Sequence, residues 1–202
     1  MESKEFLSRE EHRRDTYKLL SECYYSPDEG LLNTLRESDT SRGSLYSEIS
    51  KNSPTTNNVE SLKIDYAKLF LGPYKLLAPP YGSVYLENAR RVMGDSTMDI
   101  WYTYAEEGLR VDLKEAPDHI AIELEFMCFL ISKEIEAALN SDSINTTRYL
   151  RKQKDFLENH LAIWVLEFTD TVEANAETEF YKHLARLTRS FIKKDLKRLS
   201  ES

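Results

Sequence analysis

The sequence predicts an all-α fold, and three observations predict it. Apolar residues recur at three- and four-residue spacing along most of the chain. No β-hairpin or strand–helix–strand pattern occurs, and there is no internal repeat. Proline and glycine mark the ends of the periodic stretches, where they close helices. The expected architecture is a helical bundle.

Arg13, Tyr17, Leu20 and Tyr24 share one face of a first helix, and Pro27 closes it. Leu31, Leu32 and Leu35 make a short second helix. Residues 38–58 are rich in Ser, Thr and Asn and read as a polar connection, in which Leu45 and Ile49 could support a turn or two of helix. Thr56 to Asn58 offer caps for a helix carrying Val59, Leu62, Tyr66, Leu69 and Phe70 on one face. Gly94 to Thr97 supply the next cap; Met98, Trp101 and Ala105 follow as its apolar stripe, and Gly108 is its stop. Leu109, Val111 and Leu113 alternate with polar residues before Pro117, too short a run for a sheet, and read as an extended hinge. Beyond it Ile120, Leu124, Met127, Ile131, Ile135 and Ala138 line a long helix. Ser143 or Asn145 begins another, with Tyr149, Leu150, Phe156 and Leu157. Leu161, Trp164, Val165, Phe168 and Val172 form a further stripe, and Phe180, Leu184, Leu187, Phe191 and Leu199 the last. The expectation is one all-α domain, with an N-terminal helical lobe at about 1–108, a hinge at about 109–117 and a C-terminal lobe at about 118–202.

At 202 residues the chain can bury a sizeable core within one domain. Lys and Arg total 27 against 35 Asp and Glu, a net charge of −8. That sign disfavours a nucleic-acid partner and favours cationic ones. Cys23 and Cys128 lie far apart in apolar helical patterns and read as buried free thiols of a reducing compartment. No apolar run approaches a membrane span and the N-terminus has no signal-like apolar region, so a cytoplasmic location without membrane insertion is expected.

Two stretches break the helical pattern together. Leu69-Phe70-Leu71-Gly72-Pro73-Tyr74 and Pro79-Pro80-Tyr81-Gly82-Ser83-Val84-Tyr85 place Phe70, Tyr74, Tyr81 and Tyr85 around a loop stiffened by Gly and Pro. Such rings suit a peptide or a cation, or they simply tuck into the core. Leu76, Leu77 and Val84 could line an apolar groove beside them. Arg90 and Arg91, next to the loop, read as surface charges or ion-pair partners.

Catalytic signatures are missing. There is no phosphate-binding loop, no G-x-G-x-x-G and no G-x-S-x-G. The four histidines are scattered and form no Glu-x-x-His pair. Glu115 with His119, and Glu179 with His183, have four-residue spacing, but Pro117 disturbs the first pair, and no metal site or cofactor is assigned. His160, one turn before Trp164, reads as a packing or surface histidine. Glu115-Ala116-Pro117-Asp118-His119 is a well-made helix start. It also puts Asp118 and His119 where a cleft between lobes would open, and a carboxylate there could grip a guanidinium. Glu115 and Glu123 could serve as secondary acids there, but read first as residues of a solvated helix face.

With these residues the chain resembles the cytoplasmic redox-enzyme maturation chaperones that include the TorD, DmsD and NarJ-like proteins. The resemblance runs through Phe70-Leu71-Gly72-Pro73, Pro79 to Tyr85, Gly94-Asp95-Ser96-Thr97 and Glu115-x-Pro-Asp118-His119. It continues in Phe156-Leu157-x-x-His160-Leu161-x-x-Trp164 and in Phe180-Tyr181-x-x-Leu184-Ala185-x-Leu187-Thr188, covering about residues 60–190 in order. It implies a bundle of the TorD type and no catalysis. It also implies binding of the twin-arginine leader, or the apo form, of a molybdenum-containing oxidoreductase subunit, so that cofactor insertion precedes export. The family's leader-binding positions fall on Phe70, Tyr74, Tyr81, Tyr85, Asp118 and His119. Some relatives carry tryptophan where this chain has Tyr74, Tyr81 and Tyr85, so leader choice could differ. A homodimer formed by helix exchange at the hinge is compatible with the pattern. Two rival readings are a small helical carboxylate- or metal-dependent enzyme, and a module that binds only the mature subunit.

Overall fold

The computed structural model describes residues 2–37, 59–72, 76–87, 92–110 and 115–201. Among the described residues there are nine helices and no strand: α1 (Glu2–Cys23), α2 (Glu29–Glu37), α3 (Val59–Tyr66), α4 (Gly82–Leu86), α5 (Asp95–Glu106), α6 (Ile120–Leu139), α7 (Ser143–Phe156), α8 (Ala162–Asn175) and α9 (Glu179–Ser200). The turn of helix expected around Leu45 and Ile49, the caps at Thr56 to Asn58, Tyr74, Arg90, Arg91 and residues 111–114 of the hinge lie outside the described residues.

Most apolar stripes are buried where the periodicity puts them. Tyr17 and Leu20 on α1 and Tyr24 just after it, Ile120, Leu124, Met127, Ile131 and Ile135 on α6, and Trp164, Val165, Phe168 and Val172 on α8 all enter the core. Caps set the helix starts. Asp142 accepts from the Asn145 N–H to begin α7, and Thr178 accepts from that of Tyr181 to begin α9. Gly108, at φ 73°, follows α5 in the left-handed conformation that glycine adopts without strain.

One finding departs from the expectation. On α5 the buried residues are Thr97, Ile100 and Tyr104, so the stripe of Met98, Trp101 and Ala105 faces solvent. The helix has two apolar faces, and periodicity alone does not choose between them. α1 runs along α6 and touches α9, and the buried apolar residues from Tyr17 to Leu199 belong to one core cluster.

Two helices widen into π turns. α3 continues through Ala67–Leu71, where Gly72 N–H donates to the Ala67 carbonyl at 2.6 Å. α7 passes into α8 through Leu157–Leu161. Such turns rotate the following side chains out of the α register and recur at functional sites. Here one leads into the aromatic loop and the other carries His160.

Candidate functional site

The loop that follows the first π turn is pinned to the start of α6 by a short antiparallel pairing. Ile120 N–H donates to the Pro80 carbonyl at 2.9 Å, and Gly82 N–H donates to the Asp118 carbonyl at 2.9 Å, with Tyr81 opposite His119. The Asp118 carboxylate completes the clamp: its Oδ2 accepts from the Ser83 N–H at 2.8 Å, near the start of α4. Asp118 is fully buried, and its Oδ1 has no hydrogen-bond partner among the described residues.

His119 is the N-cap of α6. Its Nδ1 accepts from the Ala121 N–H at 3.2 Å, which requires that nitrogen to be unprotonated. Its ring lies between two tyrosines, nearly parallel to Tyr25 (6.0 Å, 14°) and edge-on to Tyr81 (5.3 Å, 73°). Burial lowers its pKa to about 4, against a smaller opposing pull from Asp118. Tyr81 is half-buried, and its hydroxyl donates to Glu115 Oε2 at 3.1 Å. Burial first, then the Glu115 charge, raises the pKa of that phenol. Glu115 is therefore not a simple solvated acid; it sits at the mouth of this junction. The Tyr104 hydroxyl donates to the Pro117 carbonyl at 3.0 Å.

Tyr85 stacks on Trp164 (5.6 Å, 23°) and is half-buried. Phe70 lies in the core, ringed by Tyr24, Tyr66, Phe168 and Tyr181, and presents no face to solvent. The structure thus brings Tyr81, Asp118 and His119 together, sets Tyr85 at one side, and uses Phe70 to hold the loop from below. Val84 and Leu76 are half-buried and Leu77 is exposed. A larger apolar surface lies on the far side of Tyr25. There a cleft of about 530 Å³ is lined by Tyr25, Tyr104, Leu109, Ile122, Phe126 and Phe129, with Lys18, Arg110 and Glu125 at its rim.

Glu123 is fully buried, against the expectation of a solvated helix face. It receives His160 Nε2 at 2.7 Å and Trp164 Nε1 at 3.1 Å. Burial raises the Glu123 pKa in spite of these partners; for His160 burial is the largest influence and lowers the pKa, but the charge and hydrogen bond of Glu123, with the charges of Asp118 and Asp99, together outweigh it and raise it. Gly82 packs against this pair: a Cβ there would lie 3.0 Å from Trp164 Nε1 and 3.2 Å from Glu123 Oε1. The trio had a signal in the sequence. Glu123 stands three residues after Ile120 and four before Met127, inside the apolar stripe of α6, and an acid at a core position needs a buried donor. Among the described residues no group of three or more His, Cys, Asp or Glu could hold a metal ion, and no helix is long and apolar enough to cross a membrane. Cys23 is buried, Cys128 half-buried, and both are free thiols.

By class this is an all-α protein with buried polar and charged groups gathered around a loop-to-helix junction. The profile of the family described as nitrate reductase delta subunit matches residues 26–170, and the chain belongs to that family. It is 32% identical over 138 residues to the chaperone protein TorD of Vibrio parahaemolyticus, covering 66% of this chain and 62% of that one. To the perchlorate reductase assembly chaperone protein of Dechloromonas aromatica it is 32% identical over 135 residues, 63% of this chain and 58% of that one. To the Tat proofreading chaperone DmsD of Salmonella typhimurium it is 29% identical over 136 residues, 66% and 60% of the two chains. The chain thus spans about three fifths of the length of these curated relatives. Among solved structures, a chain from Archaeoglobus fulgidus assigned as a redox enzyme maturation protein superposes with a TM-score of 0.61 at 27% identity, over 89% of this chain and 93% of that one. These relatives bear the names of chaperones and maturation proteins, not of catalysts.

Proposed function

We propose that this chain is a cytoplasmic assembly chaperone that binds the twin-arginine leader of a molybdenum-containing oxidoreductase subunit and holds the apo-subunit until its cofactor is inserted. The observation that carries the reading is Asp118: a wholly buried carboxylate with one oxygen unpartnered among the described residues, in the segment that Tyr81 covers. A buried acceptor left open costs free energy unless a donor arrives, and a guanidinium is the donor that fits a carboxylate best. In this reading Glu115 meets the arginine pair at the mouth, and Tyr81 and, from the resemblance, Tyr74 offer ring faces to the guanidiniums, while the buried His119 sets the position of Tyr81 from behind. The apolar stretch that follows the arginines lies in the cleft beyond Tyr25. Phe70 and Tyr85 act by holding the loop and α4 in place. The chain binds and does no chemistry.

Calorimetric titration with twin-arginine leaders of molybdoenzyme subunits from the source organism tests this, with paired-lysine versions as controls. Saturable binding, weakened by the lysines, is expected. Asp118→Asn keeps an acceptor for Ser83 and removes the charge; it should weaken the arginine leader by about 1–3 kcal/mol, the scale of one charged hydrogen bond. Unchanged affinity in the folded variant removes Asp118 from the site. Failure of the wild-type protein to bind any leader overturns the leader reading.

A further inference from the structure

α5 carries an apolar face that nothing in the described structure covers. Met98, Trp101 and Tyr102 are 46%, 41% and 58% exposed, and Ala105 beside them is exposed as well. Spacings of three, four and seven residues put all of them on one side of the helix, next to the buried face of Thr97, Ile100 and Tyr104. The stripe is about 10 Å long, two turns of helix. Trp101 and Tyr102 meet edge to face at 5.3 Å, a preformed aromatic pair of the residue types that dominate interface energetics. A lone exposed ring needs no explanation, but a contiguous stripe with Trp and Tyr at its centre does.

Along one edge of that stripe run Asp95, Asp99 and Glu106, all exposed. Glu106 is 3.6 Å from Lys152, while Asp95 and Asp99 pair with no cation among the described residues. Asp99 and Glu106 also open into a cleft of about 510 Å³ that Asp155 lines as well, with Lys152 as its one ammonium, and that Phe126, Phe156 and His160 floor. The Asp99 charge reaches His160 across it. An apolar ridge, an acidic edge and a recess beside that edge form a complementary imprint of one kind of partner. Its apolar side chains would cover Trp101 and Tyr102, and its long basic side chains would enter the cleft. A second copy of this chain meeting the face symmetrically would set acid against acid.

We infer that α5 is a second docking surface of the chaperone and that its occupant is a basic, amphipathic helix on the mature part of the client subunit, outside the leader. The inference rests on the client reading above, but it uses a different face from the Tyr81–Asp118–His119 junction. Two contacts of this kind would hold one client at both its leader and its body, each raising the effective concentration of the other.

The test pairs two surface variants with two probes. Trp101→Ser/Tyr102→Ser removes the ridge, and Asp99→Lys/Glu106→Lys reverses the edge; all four side chains are exposed, and thermal melts check that the fold is kept. The probes are the isolated leader peptides and the same molybdoenzyme subunits purified as apo-proteins with the leader deleted. Each variant should bind the leaderless subunit about 30-fold more weakly, the effect of a hot-spot loss, with leader affinity unchanged, and the charge reversal should matter most at low salt. Unchanged affinity for the leaderless subunit overturns the proposal, as does an equal loss of leader binding, or a wild-type protein that ignores the leaderless subunit. A stripe variant that only converts a dimer to monomers overturns it too. If wild-type protein binds no leader but the variants lose the leaderless subunit, the leader reading falls and the α5 surface stands.

Discussion

His119 holds two positions that both exclude a charge: its Nδ1 caps α6, and its ring is packed between Tyr25 and Tyr81. Burial lowers its pKa from 6.5 to about 4, so the folded state prefers the neutral ring. A depressed pKa contributes stability that is complete above the unfolded value and is lost as pH falls from about 6.5 towards 4. His160 works the other way: its raised pKa contributes most below 6.5 and loses that contribution as pH rises through the folded value. His119→Asn keeps a good cap without a titrating group. Its stability should fall by about 3 kcal/mol less than that of the wild type between pH 7 and pH 4. Urea midpoints at a series of pH values measure this, and parallel acid losses in both proteins would rule it out. Gly82 is the second position where one atom decides. Its missing Cβ is the space that Trp164 and Glu123 occupy, so Gly82→Ala should cost about 1–3 kcal/mol and shift Trp164 emission. An unaltered midpoint would mean that the trio yields freely. Neither role was legible from residue types: His119 and Gly82 were noticed for their motifs, whereas what His119 does depends on Tyr25 and Tyr81, and what Gly82 does depends on Glu123 and Trp164, all brought in from other parts of the chain.

Helices were legible where one face alone is apolar. The stripes of α6, α8 and α9 could be read because every third or fourth residue must leave water. α5 could not, because Met98-Trp101-Ala105 and Thr97-Ile100-Tyr104 compete as faces, and the neighbours that decide between them, such as Phe126 against Tyr104, come from α6. The π turns were equally invisible, since one extra residue in a turn leaves no compositional mark. Element junctions depend on single polar side chains that periodicity ranks as surface. Asp65 on α3 is buried and accepts from the N–H groups of Glu177 and Thr178 and from the Thr178 hydroxyl at 2.6 Å, thereby fixing α3 to the turn between α8 and α9. Thr178 is also the cap of α9. Asp65→Ala leaves those donors open and should lower stability by about 2–4 kcal/mol, more than an isolated cap. Equilibrium unfolding in urea gives the number, and a loss under 1 kcal/mol would show that water replaces the carboxylate at little cost.

Across the whole molecule, ends that are far apart in the chain are joined by charge inside one core. Arg13 on α1 grips Asp195 on α9 with Nε and Nη2 along one edge of its guanidinium, at 2.7 and 2.8 Å, and donates to Gln153 on α7 at 3.1 Å. Glu10 pairs with the same guanidinium, Tyr17 donates to Asp195 at 2.8 Å, and Gln153 donates to Glu134 on α6 at 2.6 Å. This network ties α1 to α6, α7 and α9. The sequence showed Arg13 on the apolar face of α1 but not its partner 182 residues away. Burial alone would raise the Asp195 pKa, but Arg13 outweighs it and holds the carboxyl below its usual range. A depressed carboxyl contributes stability that is present above the unfolded pKa and is lost as pH falls through the folded one. Arg13→Met should therefore cost about 3 kcal/mol at neutral pH, because it removes the buried cation between Asp195 and Glu10 and leaves them only Arg198, Arg9 and Tyr17. In acid that cost should shrink as the two carboxyls take up protons. Arg13→Met/Asp195→Leu removes both ends of the pair and should be more stable than the Arg13 single variant, since an apolar pair avoids the desolvation that the ions pay. Urea unfolding of the single and double variants at pH 7 and pH 4 measures both terms. Additive losses would mean that the two side chains act independently, and that apolar packing alone holds α1 to α9.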